Sequence, residues 1–174
     1  GKNLGAMGDA GVIVTNDDSL ANRMAMFARH GGLKKGEHLI EGINSRLDGL
    51  QAAILSIKLN KLDEWNLRRQ KNAEKYSESL CSHEDLILPV SKGNSKDVWH
   101  LYMIKTDHRE ELIEKLNSHN IKTGINYPVS LPFLEAYKYY NHSPKDFPNA
   151  FYNQSRILSL PMHPHLTDKQ INHV

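Results

Sequence analysis

From Leu50 to Leu80 the chain contains neither proline nor glycine, the residues that most often interrupt a helix. Starting from Leu47, apolar residues recur at Leu50, Ile54 and Ile57, with Leu55, Leu59, Leu62 and Trp65 broadening the same face. This spacing predicts a helix with one wide apolar side. A continuous helix over 50–80 would run about 45 Å at roughly 1.5 Å per residue, enough to lead from one part of a fold into another. Ser45, followed three residues later by Asp48, resembles a capping box at its start.

The flanking segments carry weaker signals of mixed type. Gly11-Val12-Ile13-Val14-Thr15 is a short apolar run bounded by glycine and by Asn16-Asp17-Asp18, which predicts a buried strand feeding a helix near 17–30. Arg29 and His30 are expected in the last turn of that helix, and Gly31-Gly32 at its stop. Residues 33–43 lack periodicity and read as a loop. Beyond Cys81, Val98–Ile104 predicts a strand, which would put His100 in the core or at an interface. A helix over 108–119 follows, with Leu112, Ile113 and Leu116 inward, then a turn at Asn120 and an extended run from Ile121 to Tyr127. Residues 126–148 read as irregular around a short helix near 133–140, and Pro148 as the opening of a helix to about 158. Thr167 and Gln170 have the spacing of a capping box for a last helix.

Composition excludes several function classes. Lysine and arginine number 22 against 20 acidic residues, so no basic field recruits nucleic acid. The single cysteine, Cys81, cannot form an internal disulfide, and no Cys/His cluster has zinc spacing; a reducing cytoplasm is the expected setting. No apolar run approaches the roughly 18 residues of a spanning helix, so no membrane partner is expected. Gly1 in place of a methionine, and a helix interrupted at Val174, give the expectation that both ends are cuts.

Two segments could carry chemistry. Lys2 lies in Gly-Lys-Asn-Leu-Gly-Ala-Met-Gly-Asp-Ala-Gly, where four glycines in eleven residues let the backbone turn tightly beside a bulky ligand. A lysine amine held neutral can attack a carbonyl to form an imine. Taken alone, the segment reads first as a glycine-rich turn with an ordinary surface lysine. Asn44 and Arg46, in Gly-Ile-Asn-Ser-Arg-Leu-Asp (42–48), stand beside the predicted helix start, where unpaired N–H groups suit a phosphate. The alternative there is a well-capped helix with Arg46 in a salt bridge.

Read together, the Lys2 segment (1–11), the run Gly-Ile-Asn-Ser-Arg-Leu-Asp-Gly-Leu-Gln-Ala-Ala-Ile-Leu (42–55) and Leu-Ser-Leu-Pro-Met-His-Pro-His-Leu-Thr (158–167) resemble the DegT/DnrJ/EryC1/StrS family, fold type I enzymes acting on nucleotide-linked sugars. The resemblance covers essentially the whole chain, and it rests on the order and spacing of all three blocks. It implies that Lys2 is the lysine that binds pyridoxal 5'-phosphate covalently and moves the proton between substrate and cofactor. Family dehydratases carry histidine at this position, so the lysine implies amino transfer. The resemblance also implies that Asn44, with Arg46 as a second candidate, reaches the cofactor phosphate of a neighbouring subunit, and hence a homodimer.

The implied architecture is α/β, the C-terminal part of a fold type I pyridoxal-phosphate transferase. Its parts would be the tail of the large domain at 1–50, a long linking helix at 51–80 and a small α+β domain at 81–174. The implied reaction is transamination of a nucleotide-linked keto-deoxysugar with glutamate as amino donor. The family's remaining cofactor contacts lie upstream of the lysine, so the chain alone is expected to show little or no turnover. The competing expectation is a non-catalytic binding or assembly module of the same fold.

Two positions depart from the family pattern. Asn126-Tyr127-Pro128-Val129-Ser130-Leu131-Pro132 keeps the Tyr-Pro pair but neither of the histidines found near the sugar, leaving Tyr127 as the implied sugar contact or as a residue that only packs the turn. Ala150-Phe151 stands where an alanine-glutamate pair is common.

Overall fold

A computed structural model describes residues 2–174. The chain divides into two compact units, one reaching to Leu62 and the other spanning Asp63–Val174. In the first unit, α1 is Asp18–Ala28 and α2 is Gly49–Leu59. The second contains nearly all of α3 (Leu62–Leu80), then β1 (Tyr102–Lys105), α4 (Arg109–Ser118), α5 (Pro148–Gln154), β2 (Ile157–Leu160) and α6 (Asp168–His173). Among the described residues no helix is long and apolar enough to cross a membrane.

The second unit is built on a two-stranded antiparallel ribbon. Tyr102 pairs with Leu160 and Ile104 with Leu158, and all four side chains are buried, as the period-two alternation of strands requires. Backbone bridges extend the ribbon on both sides, Ile87 against Lys105 and Gly124 against Ser159. Ala73 and Tyr76 of α3, Leu116 of α4, Ile121 and Ile171 of α6 complete the core. Burial pushes the Tyr76 hydroxyl up to about 12, with the Tyr102 phenol a second cause.

A polar seam runs along the same face of α3. Tyr76 donates to the Pro161 carbonyl (3.0 Å), Arg69 to that of Met162 (3.1 Å) and Asn72 to that of His163 (3.1 Å). Arg69 is buried and also donates to Trp99 O and His100 O. Part of the Leu-Pro-Met-His block is thus the strap that receives α3.

Several expectations need correction. The helical stretch over 50–80 is two helices, separated at Asn60-Lys61, where Lys61 N–H bonds Lys58 O in a tight turn. Asparagine is a weak helix former, and Lys58 before the break and Asp63 and Glu64 after it each favour a helix end. Residues 11–15 form no strand: Val12 is 87% and Val14 86% exposed, and among the described residues no backbone bridge pairs them. The expected strand at 98–104 is shortened at its start because Trp99 takes φ 49°, so half-buried His100 precedes β1. The helix opened by Pro148 stops at Gln154, and the following residues turn into β2, which periodicity did not predict.

Ser45 and Asp48 form no capping box. Asp48 is the N-cap of α2 without a side-chain bond, and Ser45 N–H instead bonds Ala28 O. Arg29 caps α1, and His30 lies beyond it at φ 60°. The helix over 109–118, the left-handed turn at Asn120 and the irregular 126–148 segment with its short 3-10 turns agree with expectation, as does the reciprocal Thr167–Gln170 capping box.

Candidate active site

Residues 2–11 are an exposed to half-exposed loop whose course depends on two glycines. Gly5 has φ +75° and Gly8 φ +132°, where a side chain would be strained. Both glycines also meet side chains of α2. A Cβ on Gly5 would stand 2.8 Å from Lys58 Nζ, and one on Gly8 2.8 Å from Gln51 Nε2. The Gln51 amide bonds both backbone groups of Met7, accepting from its N–H at 3.0 Å and donating to its carbonyl at 2.7 Å. Lys58 donates to the Gly5 carbonyl. Lys2 opens this loop with its side chain exposed.

The end of α1 sets the place of Asn44 and Arg46. Gly31 N–H bonds Met26 O (2.7 Å), closing the helix with His30 in the left-handed position. The last carbonyls are then satisfied by the returning chain: Ile43 N–H bonds Phe27 O at 2.8 Å and Ser45 N–H bonds Ala28 O at 3.0 Å. Gly42 permits the return, since a Cβ there would lie 2.4 Å from Gly31 N and 2.6 Å from Phe27 O. Asn44, between the two anchored residues, pairs with Arg29 in a backbone bridge. Its Oδ1 accepts from Arg46 Nε at 3.3 Å, so amide and guanidinium N–H groups are what this exposed pair offers to an anion.

Lys2, Asn44 and Arg46 therefore share the first unit, whereas Tyr127 belongs to the second. Tyr127 is 61% exposed, at the edge of a cleft of about 540 Å³ lined by Val129, Leu131, Leu134, Asn153 and Ile157. The turn that bears it is held at both ends: Asn126 Oδ1 accepts from Ser159 Oγ (3.0 Å), and Ser130 N–H donates to Gln154 Oε1 (3.0 Å). Asn126, in the position of a family histidine, is thus engaged with β2. Phe151, in the position of the common glutamate, packs edge-on against Phe133 with ring centroids 5.4 Å apart.

The model of the DegT/DnrJ/EryC1/StrS aminotransferase family matches residues 1–174. The chain belongs to this family. Over 174 residues, all of this chain and 48% of the relative, it is 38% identical to the erythromycin biosynthesis sensory transduction protein EryC1 of Saccharopolyspora erythraea. Over 170 residues, 98% of this chain and 45% of the relative, it is 40% identical to the dTDP-3-amino-3,4,6-trideoxy-alpha-D-glucose transaminase of Streptomyces venezuelae. The crystal structure of S. venezuelae DesV in complex with a ketimine intermediate matches with a TM-score of 0.92 at 38% identity, covering 98% of this chain and 46% of that one. The chain spans about half the length of the curated relatives it matches. Its fold is that of part of a fold type I DegT/DnrJ/EryC1/StrS aminotransferase.

The donor set fits the cofactor of such an aminotransferase: an exposed amine on a glycine-shaped loop suits a carbonyl, and the Asn44–Arg46 pair suits a phosphate. Sequence reasoning overlooked Gln51 and Lys58. The available signal was two long polar residues seven apart, two turns along one face of a helix otherwise apolar but for Ser56.

Proposed function

We propose that this chain is the C-terminal part of a cytoplasmic, homodimeric, pyridoxal-phosphate-dependent aminotransferase that aminates a nucleotide-linked keto-deoxysugar with glutamate as donor. In this reading residues 1–50 are the tail of the large domain and the residues beyond 80 the small one. The observation that carries it is the family match over residues 1–174; the likeness of the Gly-Lys-Asn-Leu-Gly segment to the family's lysine block supports the role given to Lys2. The sugar nucleotide named for the Streptomyces venezuelae relative supports the substrate class.

Pyridoxal phosphate, when bound, supplies an electron sink for the carbon that exchanges its amino group. Lys2 Nζ would hold the cofactor through its carbonyl carbon and would serve as the base and acid that moves a proton at the reacting carbon. Asn44 and Arg46 would hold the phosphate of a cofactor bound by a second subunit through their N–H groups. Tyr127, one of the residues lining a largely apolar cleft, would contact the sugar.

A second reading, a non-catalytic binding or assembly module, is favoured by the sensory name of the Saccharopolyspora erythraea relative. Reductive trapping separates the two. The chain is mixed with dilute pyridoxal phosphate, reduced with borohydride and mapped by peptide mass spectrometry. Modification concentrated at Lys2 is the expected result, and labelling spread evenly over the lysines supports the module.

A further inference from the structure

We propose that Gln51 and Lys58 are positioning residues that clamp the Lys2 loop to α2; this rests on the functional reading of Lys2 given above. Gln51 engages Met7 as a neighbouring strand would, one amide answering both backbone groups at 3.0 and 2.7 Å. Lys58, on the same face of α2 two turns further on, holds the Gly5 carbonyl. Between them they fasten two points of a loop whose curvature comes from Gly5 and Gly8, and Lys2 stands three residues before the first of these points.

The two glycines and the two clamping side chains form one device. Each glycine leaves room for a polar head that a Cβ would meet at 2.8 Å. Without the clamp, a loop with glycines at both bends samples many positions of the Lys2 amine, and a covalent site loses rate when its nucleophile is not held in place. Gln51 and Lys58 touch neither substrate nor cofactor in this assignment; they act through the backbone of residues 5–7.

The test compares the wild-type chain with Gln51→Leu, Lys58→Met and the conservative Lys58→Arg. Hydrogen exchange at the Met7 amide reads the clamp itself, and borohydride trapping of pyridoxal phosphate reads the share of label at Lys2, with Lys169 in the second unit as internal reference. Gln51→Leu is expected to accelerate Met7 exchange and to lower the Lys2 share about fivefold, the effect of losing a hydrogen-bonded contact. Lys58→Met is expected to lower the share less, and Lys58→Arg to restore it. Unchanged Met7 exchange in Gln51→Leu, or an unchanged Lys2 share beside selective wild-type labelling, overturns the proposal. If wild-type Lys2 is not selectively labelled, the functional reading fails and the positioning role with it, while Met7 exchange still reports whether the clamp exists. Circular dichroism of each variant confirms that α2 is retained.

Discussion

The two units of this chain are held together by different physics. The unit Asp63–Val174 surrounds Tyr102, Ile104, Leu158 and Tyr76 with apolar neighbours. In the unit reaching to Leu62, neither helix buries a side chain, and Val12, Val14, Leu50 and Ile57 lie open to solvent. Its shape comes instead from glycines at close approaches and from polar side chains that satisfy backbone groups: Gly31, Gly42, Gln51 and Lys58. Of the residues proposed for the site, Lys2, Asn44 and Arg46 belong to this second kind of construction and Tyr127 to the first.

Four measurements break or sharpen this contrast. Leu158→Ala, which empties a fully buried position of the ribbon, should destabilise the core unit by about 3 kcal/mol. Urea unfolding followed by tryptophan fluorescence reads it cleanly, because Trp65 and Trp99 both lie in that unit. A loss below about 1 kcal/mol would mean that the ribbon is not its centre. Arg69→Leu, which removes the donor serving three carbonyls, should cost about 2 kcal/mol by the same assay.

The third measurement is alkaline titration. The folded-state pKa of Tyr76 is raised from 10.0 to about 12, so the stability tied to its neutral form is fully present below pH 10 and lost as pH rises towards 12. The midpoint urea concentration should fall across that window, and Tyr76→Phe should flatten the fall. The smallest effect is expected from Val12→Ala in the exposed 11–15 segment, under about 0.5 kcal/mol. A larger loss there would show that the first unit hides a core of its own.

The sequence made local signals legible and left relational ones obscure. The Thr167–Gln170 box and the helix over 109–118 were readable because each depends on residues within one turn of each other. The roles proposed for Lys2 and Asn44 rest on the order of three blocks, since a glycine-rich loop or a helix start alone fits many folds. The exposure of Val12-Ile13-Val14 was hidden because an apolar run gives no information about whether a partner strand is present. Gln51 was read as one position in a helix, and its bond to Met7 spans 44 residues that no local pattern connects. The Asn60 break was foreshadowed by flanking charges, which a search for proline and glycine passes over.

The seam along α3 sets an order of events during synthesis. Tyr76, Arg69 and Asn72 bond carbonyls 85, 93 and 91 residues further along the chain. While the ribosome is still making the intervening segment, the buried guanidinium of Arg69 has no Met162 carbonyl to meet, and β1 has no β2. The core unit cannot close by stages from its leading end; it waits for the Pro161–His163 strap to emerge and then engages both ends together. Nascent chains stalled before Pro161 should accordingly remain open to protease, and the chain released with Val174 in place should not.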